Sequence, residues 1–418
     1  MPSATILANI VRQHAESAAD LFTARFVLVA APRIRLFELR QYDDRIDAHL
    51  DGLSVAGDQS SSFCEALDAS PVGTLFTATV QALKGREQPW LDRLLASAEI
   101  DPATRPGLIS AFGWIGPEQL QGLVVTLFDA SGPFRPMVGI AACAMHRVDP
   151  GLVSARRIQD ASPLVRARAL RTAGEIGCQE AVPSLAAAIR DDDSDCRFWA
   201  AWSSVLLGNR GIALEALTSA ALDAAPHRLR AFRLALQAMS LGAAHEWLRQ
   251  LAEDSTQLRW LIQGSGIAGD PVYVPWLIKH MADQKTARLA GEAFTLITGA
   301  DFNALQLEGS RPEDFESGPN DDPDDANVDM DPDDGLPWPD VAKIEKWWAA
   351  NSARFASGTR YFMGAAVTRE HCIDVLKNGY QRQRILAAHY LCLLEPGTPL
   401  FNTSAPAWRQ QRLLAKMT

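Results

Sequence analysis

Residues 160–190 read DASPLVRARALRTAGEIGCQEAVPSLAAAIR, and they describe one helix–turn–helix unit. Val165, Ala169, Leu170, Ala173 and Ile176 recur at helical spacing and form one broad apolar stripe, which predicts a first helix over 164–176. Gly177 follows as the stop, since glycine adopts the left-handed conformation that ends helices without steric cost. Pro183 then suits the first turn of a second helix, where its missing N–H would have had no partner. Val182, Leu185 and Ile189 are the inward stripe of that helix. The same frame returns as Val274-Pro275-Trp276-Leu277 ahead of Met281, which aligns two distant units.

Outward from this stretch the unit repeats. Aspartates stand at Asp129, Asp160, Asp191, Asp223, Asp254 and Asp283, with gaps of 31, 31, 32, 31 and 29 residues. Arginines follow in near-register at Arg135, Arg166, Arg197, Arg230, Arg259 and Arg288. A period of about 30 residues signals stacked helical pairs, because one pair cannot bury its apolar face alone. Each Asp is expected to accept backbone N–H bonds at a repeat junction, and each Arg to bond the neighbouring junction. The fold class is therefore all-α, an α-solenoid.

Composition fits this reading: the 418 residues are 47% hydrophobic and 22% charged. No run of about twenty apolar residues suggests a membrane span, and the first residues lack the basic head and apolar core of a secretory signal, so a cytoplasmic location is expected. Cys64, Cys143, Cys178, Cys196, Cys372 and Cys392 form no C-x-x-C pair, which argues against a disulfide framework or zinc knuckle. The net charge of −10 is concentrated in 311–335, where eleven acids meet one base; the remainder holds 39 of each sign. With Pro312, Pro319, Pro323 and Pro332, Pro337 just beyond, and few apolar residues, this segment reads as a solvated, mobile insertion that could tether a basic partner. Asp329-Met330-Asp331-Pro332-Asp333-Asp334-Gly335 only approximates a calcium loop: its glycine is one position late and Asp340 stands where a bidentate Glu belongs.

The flanks are distinctive. Leu39 to Leu53 reads LRQYDDRIDAHLDGL, Leu336 to Asp340 reads LPWPD, Lys343 to Trp348 reads KIEKWW, and Gly358 to Gly364 reads GTRYFMG. With the repeats, these segments resemble an uncharacterised bacterial family of HEAT-like repeat proteins, of the phycobilisome-lyase repeat type, often encoded in type VI secretion gene clusters. The resemblance covers nearly the whole chain. It implies a right-handed superhelical stack of about seven HEAT-like helix pairs and an association with an apparatus that loads spike proteins and effectors. It carries over no catalytic residue.

The residues themselves offer no enzyme motif: no phosphate loop, zinc helix, nucleophile elbow or dinucleotide turn is present. The eight histidines never occupy a repeating position, and His245-Glu246 is a single His-Glu pair where a helical-repeat di-iron site needs several. Neither a metal nor a cofactor is expected. A chain balanced outside one acidic segment lacks the basic surplus that gripping nucleic acid requires.

Alignment of the repeats nominates a protein-binding site. Superposing Arg166 on Arg197 places Trp199 and Trp202 opposite Arg168 and Arg171, positions that read as exposed. Superposing Leu185 on Leu277 places Trp276, and Trp247 in the repeat before, opposite Ser184; Tyr273 and His280 share that stripe. Such aromatics either meet a partner or are covered by the chain's own flanks. The expected organisation is an N-terminal helical cap (1–100), a repeat solenoid (101–310), the acidic insertion (311–335) and a C-terminal helical tail (336–418). The expected function is a non-enzymatic scaffold, adaptor or chaperone-like accessory for a type VI secretion component. The alternatives are an immunity protein occluding a toxin and a lyase acting on a bound prosthetic group.

Overall fold

The computed structural model describes residues 7–65, 67, 69–151, 156–223, 226–318 and 330–417. Among them are 21 α-helices and one antiparallel pair of two-residue strands, Tyr361–Phe362 with Ala365–Ala366. The protein is all-α and built of stacked helix pairs, as the 30-residue period leads one to expect. None of the described helices is long and apolar enough to cross a membrane.

The chain divides into two compact units, Met1–Ala216 with Leu376–Thr418, and Leu217–Val375. This differs from the four consecutive segments expected, because residues 376–418 return to the N-terminal unit. The unit at 160–190 forms as its stripes dictate: a first helix Pro163–Ile176 and a second, Val182–Ala188, with Val165, Ala169, Leu170 and Leu185 fully buried.

The repeat junctions follow the Asp and Arg series. Asp160, Asp191, Asp254 and Asp283 each accept the amide two residues on, at 2.9, 2.9, 2.9 and 3.0 Å. This side-chain turn satisfies donors that a helix start leaves free. Asp129 departs from the pattern by closing the helix Leu123–Asp129. Arg166 bonds its own junction through the Asp160 carbonyl at 2.9 Å and grips the next through both Asp191 oxygens at 3.0 and 2.8 Å. The bidentate fork fixes angle as well as distance between successive repeats.

Arg288 repeats this grip on the acidic insertion. It contacts Asp331 at 2.8 and 2.9 Å and the Asp333 carbonyl at 3.0 Å, while Asp333 N–H turns onto Asp331 at 2.9 Å. Arg259 takes the Asp333 carboxylate, and the Phe315 and Trp338 rings flank Arg288 at 4.9 and 4.7 Å. Residues 331–334 thus serve as one more repeat junction, and the solvated loop expected over 311–335 does not extend to them; Asp333 is 3% exposed. Charge count alone read these acids as solvated because the two arginines that neutralise them lie 43 to 74 residues away. The acids at 321–329 lie outside the described residues. The calcium-like pattern fails physically as well, since arginines occupy the Asp331 and Asp333 carboxylates and Asp340 caps the helix Val341–Asn351.

Limited proteolysis should accordingly spare the bonds between 331 and 334, and Arg288→Ala should open them to cleavage. Equal cutting there in the wild type and the variant, mapped by mass spectrometry, would show that the segment is undocked.

Within each unit the returning chain closes helix ends. In Leu217–Val375, Arg360 donates to the carbonyls of Leu236, Gln237 and Met239 at 3.0, 2.7 and 2.9 Å, capping the helix Arg228–Ala238. Tyr361 N–H reaches the Gly269 carbonyl at 2.8 Å. Gly269 has φ +78°, and a Cβ there would lie 2.2 Å from the Tyr361 oxygen, so only glycine admits this approach. In the other unit Gly177, at φ +77°, meets the Gly397 carbonyl in the same way, and Leu400 N–H donates to the Glu175 carbonyl at 3.0 Å. Arg409 caps the helix Arg105–Trp114 through the Gly113 and Ile115 carbonyls at 2.7 and 3.0 Å.

The N-terminal helices Ala8–Leu28 and Leu36–Ser54 share one core with the helices that follow, from Val11 to Ala142. Phe22 stacks on Phe76 at 3.5 Å, and Trp114 meets both rings edge-on. The separate core of Leu217–Val375 gathers Ile262, Leu277, Phe294, Ile297 and Ile344.

Candidate functional surface

The second helix of the late repeat, Val274–His280, is preceded by a single 3-10 turn, Pro271–Tyr273, whose start Asp270 caps by accepting Val272 N–H at 2.9 Å. Val274, Leu277 and Ile278 point into the core. Helical spacing then brings Tyr273, Trp276 and His280 onto one half-buried stripe flanked by exposed Val272, Pro275 and Lys279. The Trp276 and His280 rings meet at 4.4 Å. Burial lowers the His280 pKa, with Asp283 opposing, and raises the Tyr273 hydroxyl to about 12, with Asp270 adding to the rise. The face therefore presents a neutral phenol and a weakly basic imidazole.

The stripe is wider than alignment suggested. His245, on the helix Leu241–Leu251, lies edge-on to Tyr273 at 5.5 Å. Its Nε2 is 3.1 Å from Asp270, close enough for an ion pair though off the line of a good hydrogen bond. Asp270 is 1% exposed and also accepts Gly358 N–H at 3.0 Å. Sequence reasoning treated His245 only as half of a His-Glu pair; its place one repeat before Tyr273 was the available signal.

The other nominated tryptophans are not surface residues. Trp247 is 6% exposed and packs edge-on against Phe232 at 5.1 Å. Trp199 and Trp202 are 7% and 4% exposed, T-shaped to each other at 5.3 Å. The outward face expected for Trp202 meets the helix Gln381–Leu394, whose His389 lies 6.4 Å from it. Arg171 sits over Trp199 at 4.6 Å. Trp347 and Trp348 are both half-buried and both meet Phe294 edge-on, at 5.7 and 6.4 Å.

Beneath Arg171 lies a buried charge cluster. Arg168 and Arg171 both donate to Glu175, the latter at 2.8 Å. Burial alone would raise the Glu175 carboxyl, but the guanidiniums of Arg168, Arg171 and Arg147 reverse this and hold it at about 2. Burial pushes Arg168 down to about 10. Arg168 can lie nearly buried, although its position reads as exposed in sequence, because Glu175 of its own helix neutralises it.

One open cleft of about 360 Å³ is lined by Arg86, Glu87, Gln88, Glu118 and Gln119. It belongs to the N-terminal unit and contains none of the stripe residues.

Residues 151–240 match the family model of HEAT repeats. That span includes the repeat read from 160–190 and supports a HEAT-like repeat protein. No curated protein matches the chain.

Proposed function

We propose that the chain is a non-enzymatic protein-binding scaffold whose partner docks on the stripe of Tyr273, Trp276 and His280. The observation that carries this reading is the half-exposed stripe itself, which leaves two aromatic rings and an imidazole side by side where the equivalent Trp247 is buried. Aromatics that keep an open face contribute disproportionately to protein interfaces. Helical repeats supply rigid surfaces for such contacts, and HEAT repeats commonly act as interaction scaffolds. The resemblance of the flanking segments to a family encoded beside type VI secretion genes directs the proposal to a cytoplasmic accessory of that apparatus.

Trp276→Ala should weaken the bound partner by more than ~1 kcal/mol, because a hot-spot ring contributes mainly to the complex. Trp247→Ala should instead destabilise the isolated chain by about 3–5 kcal/mol, through lost burial and a cavity. Affinity capture with the wild type, Trp276→Ala and the remote exposed-site variant Val125→Ala identifies the partner. Calorimetry on the purified pair then measures its affinity. Retention of full affinity by Trp276→Ala would remove the stripe as the docking face.

A further inference from the structure

We propose that His14 and His49 form a divalent-metal site, taking Zn²⁺ or Ni²⁺, that clasps the helices Ala8–Leu28 and Leu36–Ser54 together. The two Nδ1 atoms are 3.0 Å apart although the residues are separated by 35 positions. The rings are tilted by 57° with centroids at 5.2 Å. In the absence of metal one Nδ1 donates to the other. An ion bound by both at about 2.0–2.1 Å, with a near-tetrahedral angle, requires a nitrogen separation of about 3.3 Å. Binding an ion therefore asks the nitrogens to part by a few tenths of an ångström and each ring to turn so that both lone pairs meet at the metal.

The cradle of the pair is specific. A Cβ at Gly52 would fall 2.8 Å from His14 Cδ2 and Nε2 and 2.9 Å from Cε1, so the His14 ring occupies the space a side chain would fill. Seating the Nε2 edge on Gly52 leaves Nδ1 turned toward His49. The helices carrying the ligands are held by Ala15, Ala18, Ile46, Leu50 and Leu53, all fully buried, so the ligand positions are preorganised. Both histidines are half-buried, which leaves room for water in the remaining coordination positions.

Imidazole nitrogens suit zinc and nickel over calcium or magnesium, which prefer oxygen. Among the described residues no cluster of three or more His, Cys, Asp or Glu side chains surrounds a common point. The site is thus a two-ligand, exchangeable one, unlike the closed four-ligand sites of structural zinc.

Titration of the full chain with Ni²⁺, and separately with Zn²⁺, tests the proposal by calorimetry. One saturable site is expected, weakened at least tenfold in His14→Ala and in His49→Ala. Gly52→Ala retains both imidazoles but displaces the His14 ring, so it should show the same weakening; His14→Gln and His49→Gln replace any alanine variant that fails to fold. Wild-type affinity should fall as pH is lowered from 7.5 to 5.5, because the ligands must be deprotonated. Equal binding by the wild type and all folded variants would place the ions on other side chains and overturn the site. An absence of saturable binding to the wild type would equally overturn it, leaving the pair as a hydrogen bond.

Discussion

Removing residues 395–418 is expected to unfold the unit made by Met1–Ala216 and Leu376–Thr418 instead of merely shortening it. Asp43 is fully buried and pairs with Arg25, yet the pair is complete only when the returning chain arrives. Ala407 N–H donates to Asp43 Oδ2 at 2.5 Å, and Arg25 donates to the Ser404 and Ala405 carbonyls at 3.2 and 3.0 Å. Arg384, also fully buried, donates to Gln410 at 2.5 Å, and Arg409 caps the end of the helix Arg105–Trp114. Each charged group that loses its partner in a buried site costs about 1.5–3 kcal/mol. Several lost at once exceed about 5 kcal/mol, a large part of the stability of about 5–15 kcal/mol that a domain possesses. A fall in melting temperature of more than about 10 °C, or loss of a cooperative transition, should follow in circular dichroism. Arg409→Ala alone should cost about 2–3 kcal/mol, since it removes a single charged cap. A truncated chain that melts within a few degrees of the full one would show that the returning segment is ornamental to the fold.

This segment also marks where sequence reading reached its limit. The repeat at 160–190 was legible because its information is local: Val165, Ala169 and Leu185 declare their burial by spacing alone. The junction aspartates were legible for the same reason, since each bonds an amide only two residues away. Trp202 was not, because His389 of the helix Gln381–Leu394, which packs on it, comes nearly two hundred residues later, and Trp199 is covered in turn by Trp202 and Arg171. Their alignment with Arg168 and Arg171 was correct, but Arg168 is itself nearly buried, neutralised by Glu175 from its own helix. A charged side chain at a repeat position therefore does not guarantee exposure. At the candidate surface, Tyr273, Trp276 and His280 were brought together by spacing, whereas His245 entered through a contact between successive helices that no single-helix pattern displays.

Glu175→Gln should be among the most damaging single substitutions in the chain, although the side chain is isosteric. Glu175 is the carboxylate that Arg168 and Arg171 share, and Arg147 lies close enough to lower its pKa as well. A neutral amide leaves these guanidiniums facing one another in the interior, and breaking a buried ion pair in this way costs about 3–5 kcal/mol. The pH dependence follows from the direction of the shift. The folded carboxyl titrates at about 2, below its ordinary value of 4.5, so its stabilisation is fully present above about pH 5 and is lost as pH falls toward 2. The wild type should therefore lose stability over that window, while Glu175→Gln, already lacking the carboxylate, should show a shallower dependence. Replacing both partners, as Arg168→Met with Glu175→Leu, removes the most buried guanidinium with the carboxylate and should recover part of the loss, Arg171 and Arg147 still lacking their carboxylate. Denaturant melts of the three proteins between pH 3 and 7 read all these effects together. If Glu175→Gln matches the wild type at pH 7, water must reach the cluster well enough to screen its charges, and the interior assigned to Trp199 and Trp202 would have to be opened with it.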